Sequence, residues 1–277
     1  MTDTDAITVK TYLHGKFADW RYLIVLDALR YDVFADICQE RGWHAPLKLD
    51  TRCHCTSWWY RKYWSRQNND VHLISASPVP FHKDMGWDAW RRFKSAIWAD
   101  PASETVKGQP DLAAIWPEFQ DRGLSIFEPD FALRIFATIK RPGERYLIHL
   151  MPPHLPFLGR LQGRPLFARL KLSGNSDRHA YKAIQDYGRA GNWDEVQACY
   201  RENIEHALGR VLFSWGLFLD GKTVITSDHG ELIGDISPKD GKGVYHHSHD
   251  IKLENLWMTQ RTVPWFEIRK GCTWRSQ

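Results

Sequence analysis

Five short stretches of this chain carry side chains that bind cations or activate esters. Asp27 ends the apolar run Tyr22–Leu26. A carboxylate there must find a partner, because an isolated buried charge is costly. A cation is one such partner; a helix cap or an ion pair with Arg30 is another. Asp228 and His229 lie in the turn after Thr223–Ser227, followed by Gly230 and Glu231. A carboxylate and an imidazole side by side can reach one cation or two adjacent ones, and the glycine lets the backbone turn tightly. His149 and His154 flank Pro152 and Pro153, so either two imidazoles are preset toward a metal or a stiff turn carries two surface histidines. Tyr245-His246-His247-Ser248-His249 reads as a ligand source or as a polar loop. The fifth stretch, Cys53–Ser57, precedes a helical pattern. A helix start offers free amides and a positive dipole end to an anion. A hydroxyl held there on a metal is an activated nucleophile; the plain alternative is an N-cap by Thr56 or Ser57. Carboxylate and imidazole together suit zinc or manganese better than calcium.

These residues need elements that bring them together. Tyr22–Leu26 is a continuous apolar run, the pattern of a strand buried on both faces in a parallel sheet. Ala45–Leu49, Val71–Ser75, Arg145–His149, Thr223–Ser227 and Val263–Ile268 are further strand candidates, with Pro264 pointing to an edge or a strand start. Tyr31–Arg41, Ser57–Ser65, Asp130–Lys140 and Trp193–Leu219 read as helices, the last with Val196, Tyr200, Ile204, Leu208 and Val211 at helical spacing. The segment 80–123 has no clear pattern, and 159–191 reads as a surface insertion or a lid. Alternating strands and helices predict an α/β fold: a mostly parallel central sheet flanked by helices, a three-layer sandwich in one domain over 1–277. Ligands in such sheets sit beyond the carboxyl ends of the strands. Asp27, His149, and Asp228 with His229 each end a predicted strand, so residues far apart in sequence should meet along one edge.

Composition narrows the remaining classes. There are 37 basic and 33 acidic residues, a formal charge of +4, which fits an anionic substrate and does not mark a nucleic-acid binder. The five cysteines, an odd number, speak against a disulfide scaffold, and Cys53 and Cys55 lack partners at zinc-finger spacing. The polar, acidic start is unlike a signal peptide, and no stretch approaches the roughly 20 apolar residues of a membrane span. A reducing cytoplasm is therefore the expected location. The 14 tryptophans are expected chiefly in the core.

In this order, the motifs resemble those of the alkaline phosphatase superfamily, its sulfatase-like branch most of all. Leu26-Asp-Ala-Leu-Arg-Tyr-Asp32 is similar to the opening metal motif of that branch. Thr226-Ser-Asp-His-Gly-Glu231 is similar to its second metal motif, His149–Pro156 to its histidine loop, and Tyr245-His-His247 with Val263-Pro-Trp265 to its closing histidine and last strand. The resemblance implies an alkaline-phosphatase-like fold and two divalent ions, zinc or manganese. Asp27, Thr56, Asp228 and His229 would hold one ion, and His154, His247 and His149 the other. His246 and His249 are the alternatives to His247. Thr56 would be the nucleophile, with Cys55 and Ser57 as alternatives, and Arg61 or Lys62 would bind a substrate oxygen. The proline and arginine that follow the reactive cysteine of true sulfatases are missing after Cys55. The implied activity is hydrolysis of a phosphate monoester or diester of a small molecule, lipid or sugar. A phosphotransferase, a sulfatase-type esterase and a non-catalytic anion binder are the alternatives. The aromatic helix Trp58–Trp64 and the 159–191 segment would then recognise the substrate, and the oligomeric state is open.

Overall fold

The computed structural model describes residues 9–15, 17–81, 89–99, 129–154, 177–237, 240–246, 254–269 and 272. Its centre is a seven-stranded sheet of β1 (Tyr22–Leu26), β2 (Leu47–Asp50), β3 (Asn68–Ser75), β4 (Phe93–Trp98), β5 (Arg145–Leu150), β6 (Thr223–Thr226) and β9 (Thr262–Glu267). The order across the sheet is β2-β9-β6-β1-β5-β3-β4. The five strands from β6 to β4 run parallel, whereas β9 is antiparallel to β6 and to β2. A separate hairpin joins β7 (Leu232–Ile236) to β8 (Gly243–His246).

Helices cover both faces of the sheet, which is why β1 and β5 read as unbroken apolar runs. On one face Tyr22, Ile24, Leu26, Ile148 and Ile225 pack against α2 (Tyr31–Glu40), α4 (Pro129–Ile139) and α6 (Trp193–Phe213). On the other, Leu23, Val25, Leu73, Leu147 and Val224 pack against α1 (Val9–Leu13) and α3 (Thr56–Tyr63). Among the described residues the other α-helices are α5 (Asp177–Tyr187) and α7 (Glu254–Arg261). The α/β three-layer expectation therefore holds. Among the described residues no helix is long and apolar enough to cross a membrane.

Several expectations need correction. β4 lies in a stretch with no readable period, because one edge strand of six residues leaves little signal. β9 is internal, not an edge, since β2 covers it. Pro264 is tolerated there because the pairing with β6 ends at Trp265, and Pro264 instead accepts the Thr226 hydroxyl at 2.7 Å. Within the 159–191 segment, read as a surface insertion or a lid, 177–187 form a helix, α5, and 159–176 lie outside the described residues. The aromatic helix α3 is mainly a core element: Trp59, Tyr60, Tyr63 and Trp64 are buried, and Trp58 alone among its tryptophans is exposed. Each such ring buries roughly 150–250 Å², a large share of the apolar area under this face of the sheet.

The candidate metal and nucleophile site

The parallel register explains how distant residues meet. Val25 of β1 lies level with His149 of β5 and with Thr226 of β6. Asp27 and Asp228 are each two residues beyond that line, so both emerge together just past the carboxyl edge of the sheet. Their turn is built from polar groups of neighbouring strands. Ala28 N–H donates to Asp228 Oδ1 at 3.2 Å, and the Asp27 N–H to the Leu150 carbonyl at 3.0 Å. Ser227 Oγ accepts from the Leu29 N–H at 2.9 Å, and Tyr200 from α6 donates to the Ala28 carbonyl at 2.6 Å. Ala28 sits at φ 62°, a left-handed conformation costly for a residue with a Cβ, and these bonds hold it there.

Asp27, Asp228 and His229 come together as a buried group whose ligand atoms lie within 4.8 Å of one another. Asp27 is 1% exposed, and Asp228 and His229 are 0%. His229 Nε2 stands 3.6 Å from Asp27 Oδ1 and 3.5 Å from Asp228 Oδ2. Thr56 Oγ1 joins them, 3.3 Å from Asp27 Oδ2 and 3.4 Å from His229 Nε2. His149 Nε2 is 3.2 Å from Asp27 Oδ2, and its Nδ1 is 2.9 Å from the Tyr60 hydroxyl. The alternative partner for Asp27 is excluded: Arg30 pairs with Asp32 and Asp235.

The donor set fits a small divalent cation. Asp27 Oδ1 and Asp228 Oδ2 are buried with no hydrogen-bond donor, an expensive state unless something positive lies between them. His229 Nδ1 is 2.8 Å from the Gly230 carbonyl, which can only accept, so Nδ1 carries a proton. In the neutral ring the Nε2 lone pair then faces three oxygens, the arrangement of a ligand whose tautomer is set by its other nitrogen. Donors bound at roughly 2.0–2.2 Å around a tetrahedral ion stand about 3.3–3.6 Å apart. The spacings from His229 Nε2 to Thr56 Oγ1, Asp228 Oδ2 and Asp27 Oδ1, 3.4, 3.5 and 3.6 Å, match. Electrostatics agree with the crowding. Burial pushes the Asp27 carboxyl up, but the hydrogen bond from His149 and the nearby His154 and His229 outweigh it and hold it well below the usual range. Burial pushes His229 down, but the charges of Asp228 and Asp27 raise it above its ordinary value.

Thr56 is the first residue of α3. The residue in the N-cap position is Cys55, with no side-chain cap bond, so the Thr56 hydroxyl is not used as a cap. It points to the carboxylate of Asp27 instead. Its neighbours differ: Cys55 Sγ and Ser57 Oγ lie 3.2 Å from each other, and burial raises the Cys55 thiol above its ordinary value. Arg61 and Lys62 lie in the last turn of α3, at the opposite end from Thr56, and Lys62 Nζ sits 5.6 Å over the Tyr63 ring.

His154 is held close behind the site. Its N–H donates to the Asp27 carbonyl at 3.1 Å, and its Nε2 is 2.6 Å from the Tyr181 hydroxyl of α5. His247 lies outside the described residues, as does His249, although β8 carries the chain toward them. Three tyrosines, Tyr60, Tyr181 and Tyr200, belong to this surround and were not singled out from sequence. Tyr60 alone left a signal, its helical spacing of four from Thr56.

Gly230 also acts for a reason other than a tight turn. A Cβ there would lie 2.5 Å from the Thr259 carbonyl oxygen of α7, and the Gly230 N–H donates to the Gln260 carbonyl at 2.6 Å. The glycine is required by close approach of two backbones. Gly230→Ala should cost about 1–3 kcal/mol as overpacking against backbone and should weaken zinc binding, because the carbonyl of the same residue accepts from His229. Thermal melts and zinc titration check this; an unchanged Tm with unchanged zinc affinity would refute the close-approach account.

Fold and site together define an α/β protein with a carboxylate–imidazole–hydroxyl cluster at the carboxyl edge of its parallel strands. No protein-family model and no curated protein sequence matches the chain. Among solved structures it is similar to the C-terminal periplasmic domain of EcEptC from Escherichia coli in complex with Zn, at 13% identity and a TM-score of 0.43, covering 89% of this chain and 72% of that one. A likeness of this degree assigns neither activity nor substrate.

Proposed function

We propose that the chain is a metal-dependent enzyme that cleaves a phosphate ester through Thr56. One observation carries this reading: a helix-start hydroxyl lies 3.3 Å from Asp27 and 3.4 Å from His229, beside two buried carboxylate oxygens that lack donors. A cation held by Asp27, Asp228 and His229 would supply positive charge that acidifies the Thr56 hydroxyl and offsets charge on a phosphoryl oxygen.

The chain's own groups account for the rest. Thr56 Oγ1 attacks phosphorus; its bond to phosphorus forms as the bond to the leaving oxygen breaks, and its proton has an acceptor in Asp27 Oδ2. The amides at the start of α3 and the positive end of its dipole favour the phosphoryl oxygens. The phosphothreonine ester is then opened by water, giving a hydrolase, or by an alcohol, giving a phosphotransferase. The described residues form one cation set. A second ion would need His154, released from Tyr181, together with His247.

The test is incubation of the full chain, loaded with zinc or manganese, with nitrophenyl phosphate monoesters and diesters, with and without an added alcohol. Free phosphate as the only product supports the hydrolase, and an alcohol phosphate supports the transferase. Elemental analysis counts one ion against two. Less than one equivalent of metal in protein purified without chelator would sink the reading.

A further inference from the structure

We propose that Tyr60 and His149 are a positioning pair that orients Asp27, and that His149 is not a metal ligand. This rests on the metal-dependent reading above and changes one assignment within it, since His149 counted among the ligands expected from sequence.

The register comes first. His149 lies level with Val25, two residues before Asp27 on the neighbouring strand. At about 3.3 Å per residue that places it roughly 6–7 Å deeper in the sheet than the ligand edge. Its ring is enclosed by α3, with ring centres 6.3 Å from Trp59 and 5.8 Å from Tyr60, and is 0% exposed. His149 thus reaches Asp27 from beneath, whereas His229 and Asp228 approach from the carboxyl edge.

The contacts of its two nitrogens then point to its role. A neutral imidazole has one N–H and one lone pair. Nε2 stands 3.2 Å from Asp27 Oδ2, in a bent contact, and a carboxylate oxygen can only accept. Nδ1 stands 2.9 Å from the Tyr60 hydroxyl, which can donate. The nearby Ser75 hydroxyl donates to the Ser77 carbonyl at 2.9 Å and keeps lone pairs that can also accept. The proposed tautomer is the one in which Tyr60 donates to Nδ1 and Nε2–H faces Asp27 Oδ2 at 3.2 Å, a contact that lacks hydrogen-bond alignment in this geometry. In that tautomer Nε2 has no lone pair for a cation. The consequence falls on Asp27. His149 and Thr56 hold Oδ2 from two sides, which leaves Oδ1 turned toward His229. Partners of this kind, one step removed from the ion, typically change metal affinity by about 10–100-fold when removed.

The test uses the full chain stripped of metal and titrated with zinc by calorimetry, together with zinc X-ray absorption to count imidazoles. The pair predicts that the number of imidazoles on zinc is the same in the wild type and in His149→Gln. It predicts that Tyr60→Phe weakens zinc about 10–100-fold without loss of stoichiometry. His149→Gln, whose amide can still donate to Asp27, should bind more tightly than His149→Ala. The double variant Tyr60→Phe with His149→Gln should be little worse than His149→Gln alone, because the phenol acts through the imidazole. An imidazole on zinc that is lost in His149→Gln, or wild-type affinity in Tyr60→Phe, overturns the positioning role while leaving the metal site in place. No stoichiometric zinc in the wild type would instead overturn the metal-dependent reading and the pair with it.

Discussion

Thr56→Ala is expected to lower turnover of a nitrophenyl phosphate ester by about 10³-fold or more, the scale seen when a covalent nucleophile is deleted, while zinc still binds with one-to-one stoichiometry. The basis is the division of labour at the start of α3. Thr56 is the member of Cys55-Thr56-Ser57 whose side chain contacts both Asp27 and His229. The hydroxyl caps nothing, so its removal does not undo the helix start. Alanine also has the higher helix propensity, which offsets part of the lost hydrogen bond. The fold should therefore survive, and Asp27, Asp228 and His229 should still hold the ion. Thr56→Ser keeps a hydroxyl at the same place and should restore most of the rate. The comparison among the three neighbours is decisive: if Cys55→Ala or Ser57→Ala abolishes turnover and Thr56→Ala does not, the nucleophile is wrongly assigned.

Asp228→Asn should remove both metal and activity yet leave the metal-free protein at least as stable as the wild type. Asp228 Oδ1 accepts from the Ala28 N–H at 3.2 Å and the His229 N–H at 3.0 Å. An asparagine carbonyl can keep both bonds. Oδ2, which has no donor, is replaced by an NH₂ group, which cannot ligate. The substitution also removes one of two buried carboxylates whose ligand atoms lie within 4.8 Å. Their gross repulsion is of the order of 3 kcal/mol at an effective dielectric of about 20, partly offset by the imidazole between them. Without metal, the melting temperature of Asp228→Asn should equal or exceed that of the wild type. With zinc at about a thousand times Kd, the wild type should gain roughly 4 kcal/mol, or roughly 8 °C or more in Tm for a chain of this size. The variant should gain none. A variant that melts higher with zinc and turns over at the wild-type rate would end the proposed metal chemistry.

Much of the fold could be read from hydrophobic pattern alone. Tyr22–Leu26 and Arg145–Leu150 announce themselves because a strand covered on both faces has no polar side. The long helix α6 does so because Val196, Tyr200, Ile204, Leu208 and Val211 repeat at one face. β4 was invisible because an edge strand of six residues with Lys94 and Ser95 inside it has neither signature. The place of Pro264 was misjudged because sequence shows that an N–H is missing, not which neighbour would have used it.

At the site, residue type and position after a strand were enough to pick out Asp27, Asp228 and His229. Those are local properties: an acid or imidazole at the end of a buried run needs a partner, and the end of a parallel strand is where partners converge. What the sequence could not decide is how each side chain spends its hydrogen bonds. His149 also ends a strand as read from sequence and has the same chemistry as His229. The register sets it two residues deeper, beside Val25 and under α3, where its nitrogens meet Tyr60 and Asp27. Tyr60 is 89 residues away from His149, and Tyr200 is 172 residues away from the Ala28 carbonyl that it holds. Pairings across such separations follow from strand register and helix placement, which are products of the whole packed core. The sequence determined which residues can do chemistry at this edge; the tertiary structure decided which nitrogen faces a carboxylate, which faces a phenol and which is left for a cation.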